Sequence, residues 1–217
     1  MRCATIILYY PHTPVASHVF LLVSLFVNIL AISGSLRSGA SSTSVLEAAG
    51  MVAPAGIRVR LYQGLDGLPH FNPDLDTPDG VGLPPRVREL RNLVGESNGL
   101  LLSSPEYAHG IPGSFKNLLD WLVASVELPG KPVAILNTST MSVHAPAQLL
   151  EILTTMNARI VHAASFSLVL PRRSMTPADI AVHPALKQKL VAALVALTCA
   201  AEDSLTREAP ESALSDD

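Results

Sequence analysis

Short apolar runs alternate five times with stretches of helical apolar spacing along this chain, and that alternation restricts the fold more than any other feature. The strand candidates are Asn28 to Ser33, Ile57 to Tyr62 (where Ile57, Val59 and Leu61 alternate with Arg58 and Arg60, leaving one wetter face), Gly99 to Leu102, Pro132 to Leu136 and a stretch within Arg159 to Leu170. The helical stretches are Thr43 to Ala53, Arg86 to Glu96, Ser114 to Val126, Ala145 to Met156 and His183 to Ala201. Strands joined through helices lie parallel, and a parallel sheet needs cover on both faces. The expected fold is therefore α/β: a three-layer sandwich around a five-stranded parallel sheet. Five strands suit the order 2-1-3-4-5. In that order ligands bind at the carboxyl edge between strands 1 and 3, where the winding direction reverses.

The totals agree with one domain. The 217 residues are 48% apolar and 15% charged, which describes an ordinary globular core. A formal net charge of −3 offers no electrostatic reason to expect nucleic acid as a partner. Cys3 and Cys199 stand at opposite ends, so neither a C-x-x-C site nor a disulfide framework is expected. That usage suits a reducing compartment, and the expected location is cytoplasmic.

Residues 28–204 form the expected domain. Residues 1–27 read as an apolar N-terminal extension, and residues 205–217 as a disordered acidic tail. Val19 to Leu30 is apolar apart from Ser24 and Asn28, but it is short for a membrane span and only Arg2 supplies a positive flank. Ala31-Ile32-Ser33 has the small-x-small form of a signal-cleavage site, yet cleavage there would remove the first strand.

Two loops carry the chemistry, and they follow strands 1 and 3. The first is Ser33-Gly34-Ser35-Leu36-Arg37-Ser38-Gly39, leading to Ser41, Ser42 and Thr43. Its hydroxyls, the N–H groups at a helix start and the Arg37 guanidinium all favour a phosphate. An N-capping Ser/Thr cluster with a solvated Arg37 fits the same residues. Neither G-x-G-x-x-G nor the Walker G-x-x-x-x-G-K-[ST] is present, which favours a mononucleotide over a dinucleotide or a nucleoside triphosphate.

The second loop is Pro105-Glu106-Tyr107-Ala108-His109-Gly110-Ile111-Pro112-Gly113. Its prolines, glycines and central aromatic ring suit a flat heteroaromatic ligand, and the two loops together point to flavin mononucleotide (FMN). Tyr107 can lie beside such a ring or be an ordinary half-buried tyrosine. Glu106 can bond a ring N–H or cap the helix that starts at Ser114. His109 can touch a ligand or simply be solvated. Trp121 packs in the core or at a subunit contact. The long stretch Gly64 to Pro85 reads as a functional or mobile loop. No G-x-S-x-G elbow is present, and the histidines lack metal-ligand spacing, so no metal site is expected.

A resemblance follows from Ile29 to Arg37, Leu68-Pro69-His70-Phe71-Asn72-Pro73-Asp74-Leu75, and Pro105 to Gly113 with Lys116-Asn117 and Asp120-Trp121. Over roughly residues 28–200, in this order, the chain resembles the NAD(P)H-dependent FMN reductases, a family that includes quinone, chromate and azo-dye reductases. The resemblance implies a flavodoxin-like fold, noncovalent FMN, NADPH or NADH as electron donor, and homodimers or homotetramers. It implies that Ser35 and Arg37 hold the phosphate; where the family often has Ser-x-Asn this chain has Ala40-Ser41-Ser42, with Ser42 or Thr43 as the substitute. Pro105, Glu106, Tyr107 and Gly110 would line the isoalloxazine, beside Ala108 and His109. Ser139 would complete the pocket. Ala108 stands where the family often has Asn, which removes an amide from the flavin edge.

The expected activity is ping-pong transfer of electrons from nicotinamide to a quinone, azo, chromate or free-flavin acceptor. No side chain need act as acid or base. The alternatives are an FMN-binding electron carrier of flavodoxin type and a non-enzymatic regulatory protein.

Overall fold

The computed structural model describes residues 26–77, 80–172 and 174–208, with side chains to 204. The extension, apart from Phe26 and Val27, and residues 209–217 of the tail lie outside the described residues. Among the described residues there are six strands: β1 (Val27–Ser33), β2 (Ile57–Leu61), β3 (Gly99–Ser103), β4 (Pro132–Asn137), β5 (Arg159–Ile160) and β6 (Phe166–Ser167). The helices are α1 (Ser41–Met51), α2 (Pro85–Glu96), α3 (Gly113–Asp120), α4 (His144–Thr155), α5 (Pro177–Val182) and α6 (Pro184–Glu208). The strands run parallel in the order β2-β1-β3-β4-β5, as the alternation predicts, and β6 also pairs with β4.

Strand alternation sorts the core into two halves. Ile29 and Ala31 of β1 face α1, α5 and α6, meeting Val45, Leu46, Ile180, Leu190 and Leu194. Leu30 and Ile32 face α2, α3 and α4, meeting Leu90, Phe115, Leu118 and Leu149. Every residue of β3 is buried, as expected of a central strand covered on both sides. Pro184–Ser204 of α6 is long and apolar enough to cross a membrane by composition alone. Its Leu186, Leu190, Leu194 and Leu197 are buried in the first core half, so here it serves as a core helix.

Four details depart from the sequence reading. The fifth strand is two short pieces split by a 3-10 turn at His162–Ala164. At the break the Ser165 hydroxyl takes the place of a ladder carbonyl: Ile135 N–H donates to Ser165 Oγ at 3.0 Å, and that hydroxyl donates to the Val161 carbonyl at 2.9 Å. Helix α3 stops at Asp120, not Val126, because the chain tightens into successive turns: Leu122 N–H bonds the Leu119 carbonyl and Val123 N–H that of Asp120. Helix α5 was not expected, although Thr176-Pro177-Ala178-Asp179 forms a capping box with proline in its first turn. Helix α6 continues to Glu208, past the expected start of the tail at residue 205.

The long loop after β2 is fastened to the body. It contains 3-10 turns at Leu65–Gly67 and Pro73–Leu75. Asn117 of α3 accepts from Phe71 N–H at 2.7 Å and donates to the Pro69 carbonyl at 2.9 Å. The Trp121 indole N–H donates to the same carbonyl at 2.8 Å, and its ring meets Phe71 edge-on at 5.0 Å. Trp121 is fully buried, which makes it a core residue within the chain. Arg91 closes the far end, donating to Asp76 at 2.7 Å and to the Trp121 carbonyl at 2.7 Å.

Candidate functional site

Parallel strands deliver the loops after β1, β3 and β4 to one edge, and β1 beside β3 is the reversal point of the sheet. Gly34 joins the first two loops closely. Its N–H donates to the Ser103 carbonyl at 2.8 Å, and a Cβ at this position would lie 2.6 Å from Ser104 Oγ and 2.8 Å from the Phe115 ring. Only a residue without a side chain fits there.

Beyond Gly34 the chain turns through Gly39 (φ 65°) into α1. Ala40 is the N-cap and contributes no side-chain bond, and the first turn of α1 holds no acidic residue. By position, the N–H groups of Ser42 and Thr43 have no carbonyl four residues back within the helix. Their hydroxyls are otherwise engaged: Ser33 Oγ lies 3.2 Å from Ser42 Oγ and 2.8 Å from Thr43 Oγ1. Ser42 and Thr43 therefore offer backbone donors at the helix start, with hydroxyls turned toward Ser33. Ser35 Oγ accepts from Arg37 N–H at 3.1 Å, and Arg37 is exposed at the rim. Ser103, paired in register with Ser33, keeps a buried hydroxyl with no protein partner. A helix start without a side-chain cap, beside hydroxyls and preceded by a loop carrying the exposed Arg37, fits a phosphate-ended ligand such as FMN.

The loop after β3 folds into a two-residue hairpin. Tyr107 and Gly110 exchange both backbone hydrogen bonds, at 2.9 and 3.0 Å. Between them Ala108 (φ 48°) and His109 (φ 59°) both adopt the left-handed conformation of a type I′ turn. Such turns favour Asn and Gly, so Ala108 and His109 hold backbone strain at this edge. The turn leaves Tyr107, Ala108 and His109 exposed, with Pro105, Glu106 and Gly110 half-buried.

Helix α4 anchors this turn. Gln148 Oε1 accepts from Ile111 N–H at 2.8 Å. Glu106 Oε2 accepts from the N–H groups of His144 and Ala145, both at 2.8 Å. Glu106 thus caps a helix, as one reading of it anticipated, but the helix is α4 and not the one beginning near Ser114. The Ala145 N–H bond, then the His144 N–H bond and the charges of His144 and His109, hold the Glu106 carboxyl below its ordinary range against partial desolvation.

His109 stacks on His144 with ring centroids 4.3 Å apart. Sequence reasoning did not single out His144, because only the fold carries it to the Tyr107 turn. It also passed over Asn137, which organises the loop after β4. The Asn137 amide donates to the carbonyls of Ser139 and Ser142 at 2.7 and 3.0 Å, and its oxygen accepts from Ser139 N–H at 3.2 Å. Ser139 Oγ accepts from Met141 N–H at 3.1 Å.

Known proteins resemble this chain in sequence and in fold. The profile of the NADPH-dependent FMN reductase family matches residues 27–170. An NAD(P)H-dependent FMN reductase of Pseudomonas aeruginosa is 36% identical over 115 residues, which span 52% of this chain and 60% of that protein. A quinone reductase of Escherichia coli is 30% identical over 146 residues, spanning 64% of this chain and 76% of that protein. The flavoenzyme NAD(P)H:(acceptor) oxidoreductase FerB of Paracoccus denitrificans superposes with a TM-score of 0.61 at 21% identity, covering 79% of this chain and 97% of its own. An archaeal flavodoxin superposes at 0.53 with 13% identity, covering 80% and 98%, and like the other structure it speaks for the fold alone. The chain belongs to the NADPH-dependent FMN reductase family, oxidoreductases that use FMN with NAD(P)H.

Proposed function

We propose that this protein is a cytoplasmic, homo-oligomeric NAD(P)H-dependent FMN reductase that passes electrons by a ping-pong cycle to small acceptors, quinones first. The observation that carries the reading is the meeting of two loops at the reversal point: the α1 start without a side-chain cap after β1, and the strained turn at Tyr107 after β3. Bound FMN supplies two-electron chemistry between nicotinamide and acceptor. The chain itself binds, orients and shelters.

Ser35, Arg37 and the α1 N–H groups hold the phosphate, while Pro105 to Gly110 and Ser139 border the ring. Gln148 and Glu106 fix the turn to α4. Quinone as acceptor is supported by the quinone reductase of E. coli and by a probable NADPH:quinone oxidoreductase of rice. Chromate, azo dyes and free flavin are further acceptors of the same reading.

Titration with FMN and with riboflavin tests the phosphate assignment. Arg37→Ala should weaken FMN by about 1.5–3 kcal/mol, the contribution of a hydrogen bond to a charged group. That is about 10- to 150-fold in dissociation constant. Riboflavin, lacking the phosphate, should change little. Equal losses for both ligands would mean that Arg37 acts on the fold and not on the phosphate.

A further inference from the structure

Glu106, His109 and His144 bring one ligand atom each to within 4.8 Å of one another. Two imidazoles and a carboxylate form a donor set suited to a divalent transition ion such as Zn2+, Ni2+ or Cu2+. Three separate features converge on it. The Tyr107–Gly110 turn, with left-handed backbone at His109 (φ 59°), presents that residue beside the start of α4. The His144 ring is stacked on that of His109, 4.3 Å away and 24° from parallel, with a nitrogen of each within 4.8 Å of the other, and rotation of the two exposed side chains turns both lone pairs toward one point. Glu106 Oε2 is already fixed by the His144 and Ala145 N–H groups, which leaves its second oxygen for an ion. The cap serves as the outer shell that orients the ligand, since the residue that supplies the carboxylate is bonded to the helix that supplies one of the imidazoles.

The geometry points to a surface site for one Zn2+-class ion on Glu106, His109 and His144, with a fourth position open to solvent. Zinc takes imidazole nitrogens at about 2.0–2.1 Å and carboxylate oxygens at about 2.0–2.2 Å, so ligand atoms on one tetrahedral ion sit roughly 3.3–3.5 Å apart. From separations within 4.8 Å, closure needs movements on the order of 1 Å. Both histidines are exposed and at liberty to rotate by that much. A bound ion would tie the Tyr107 turn to the start of α4, adding a third link to those made by Gln148 and Glu106. The site uses no flavin atom.

The test is calorimetric titration of the full chain with ZnCl2, first without FMN and then loaded with it. The expected result without FMN is one Zn2+ per chain. His144→Ala and His109→Ala should each weaken that binding at least tenfold, and the double variant should abolish it. Glu106→Gln keeps an acceptor for the α4 cap but removes the anionic ligand, and it should also weaken Zn2+ while the circular dichroism spectrum stays unchanged. Zn2+ binding by the double histidine variant equal to that of the parent chain would overturn the assignment, as would a parent chain that binds none. FMN affinity, measured separately by fluorescence quenching, reports on the flavin reading alone, so either idea can fail without the other. The same stoichiometry is expected after FMN loading, and loss of the Zn2+ signal on loading would overturn a site independent of the flavin.

Discussion

Ala108 and Gly34 show how much a single position decides at this site. Gly34 is legible as a turn glycine from Ser33-Gly34-Ser35, but its real constraint is the closeness of Ser104 and Phe115, which only the fold reveals. Ala108 looked like the loss of an amide from a ligand's edge. Its left-handed backbone adds a second consequence, because an L-residue with a Cβ is strained at φ 48°. Ala108→Gly should therefore stabilise the protein by about 0.5–1 kcal/mol, with the relief of strain exceeding the gain in unfolded-chain entropy. Urea denaturation should show a higher midpoint at an unchanged slope. A lower midpoint would mean that the turn is not held in this conformation. Hydroxyls were harder to read than backbone. Ser42 and Thr43 were recognisable as polar residues at a helix start, whereas the direction of their hydroxyls, toward Ser33, depends on β1 lying directly beneath α1.

Helix α4 lacks a cap of its own, and a carboxylate from another loop provides it. Val143 at its N-cap gives no side-chain bond, and its first turn has no acidic residue. Glu106 supplies the missing negative charge where the helix dipole favours it. Because the folded state holds this carboxyl below its ordinary value of 4.5, its contribution to stability is full above that pH and is lost as pH falls through the lower folded value. Glu106→Gln should thus be less stable than the parent near neutral pH, and the gap should shrink as the solution is acidified below about 4.5. Thermal unfolding at a series of pH values checks this. A gap that is constant with pH would remove the charge from the explanation. The elements themselves were largely legible, because β3 and β4 are apolar runs, β2 alternates apolar residues with Arg58 and Arg60, and the helices carry apolar stripes. One failure came where a polar side chain had replaced a backbone partner. Ser165 splits the fifth strand in this way, and no periodicity signals it. The capping box of α5 was visible in Thr176-Pro177-Ala178-Asp179, but the helix is too short to show a period.

The topology of the whole molecule was the most legible feature, since alternation, crossover handedness and strand number leave few alternatives. What the chain order could not disclose is contact between segments distant in sequence. The tie from Asn117 and Trp121 to the loop after β2, and the meeting of His109 with His144, exist only once the sheet is closed on both faces. Exposed Met141 and Val143 follow β4, so apolar surface remains beside the loops of the site. Closed pairing of two chains is the commonest way to cover such surface. Light scattering at micromolar concentration should report at least twice the 23.0 kDa chain mass. A particle of 23.0 kDa under the same conditions would contradict the oligomeric reading. The most direct test of the oxidoreductase reading is anaerobic mixing of the FMN-loaded protein with NADPH and, separately, with NADH. Rapid bleaching of the flavin absorbance by at least one nicotinamide, reversed by adding a quinone after the nicotinamide is spent, is the predicted result. A yellow protein that neither nicotinamide bleaches would contradict it and leave an electron carrier in its place.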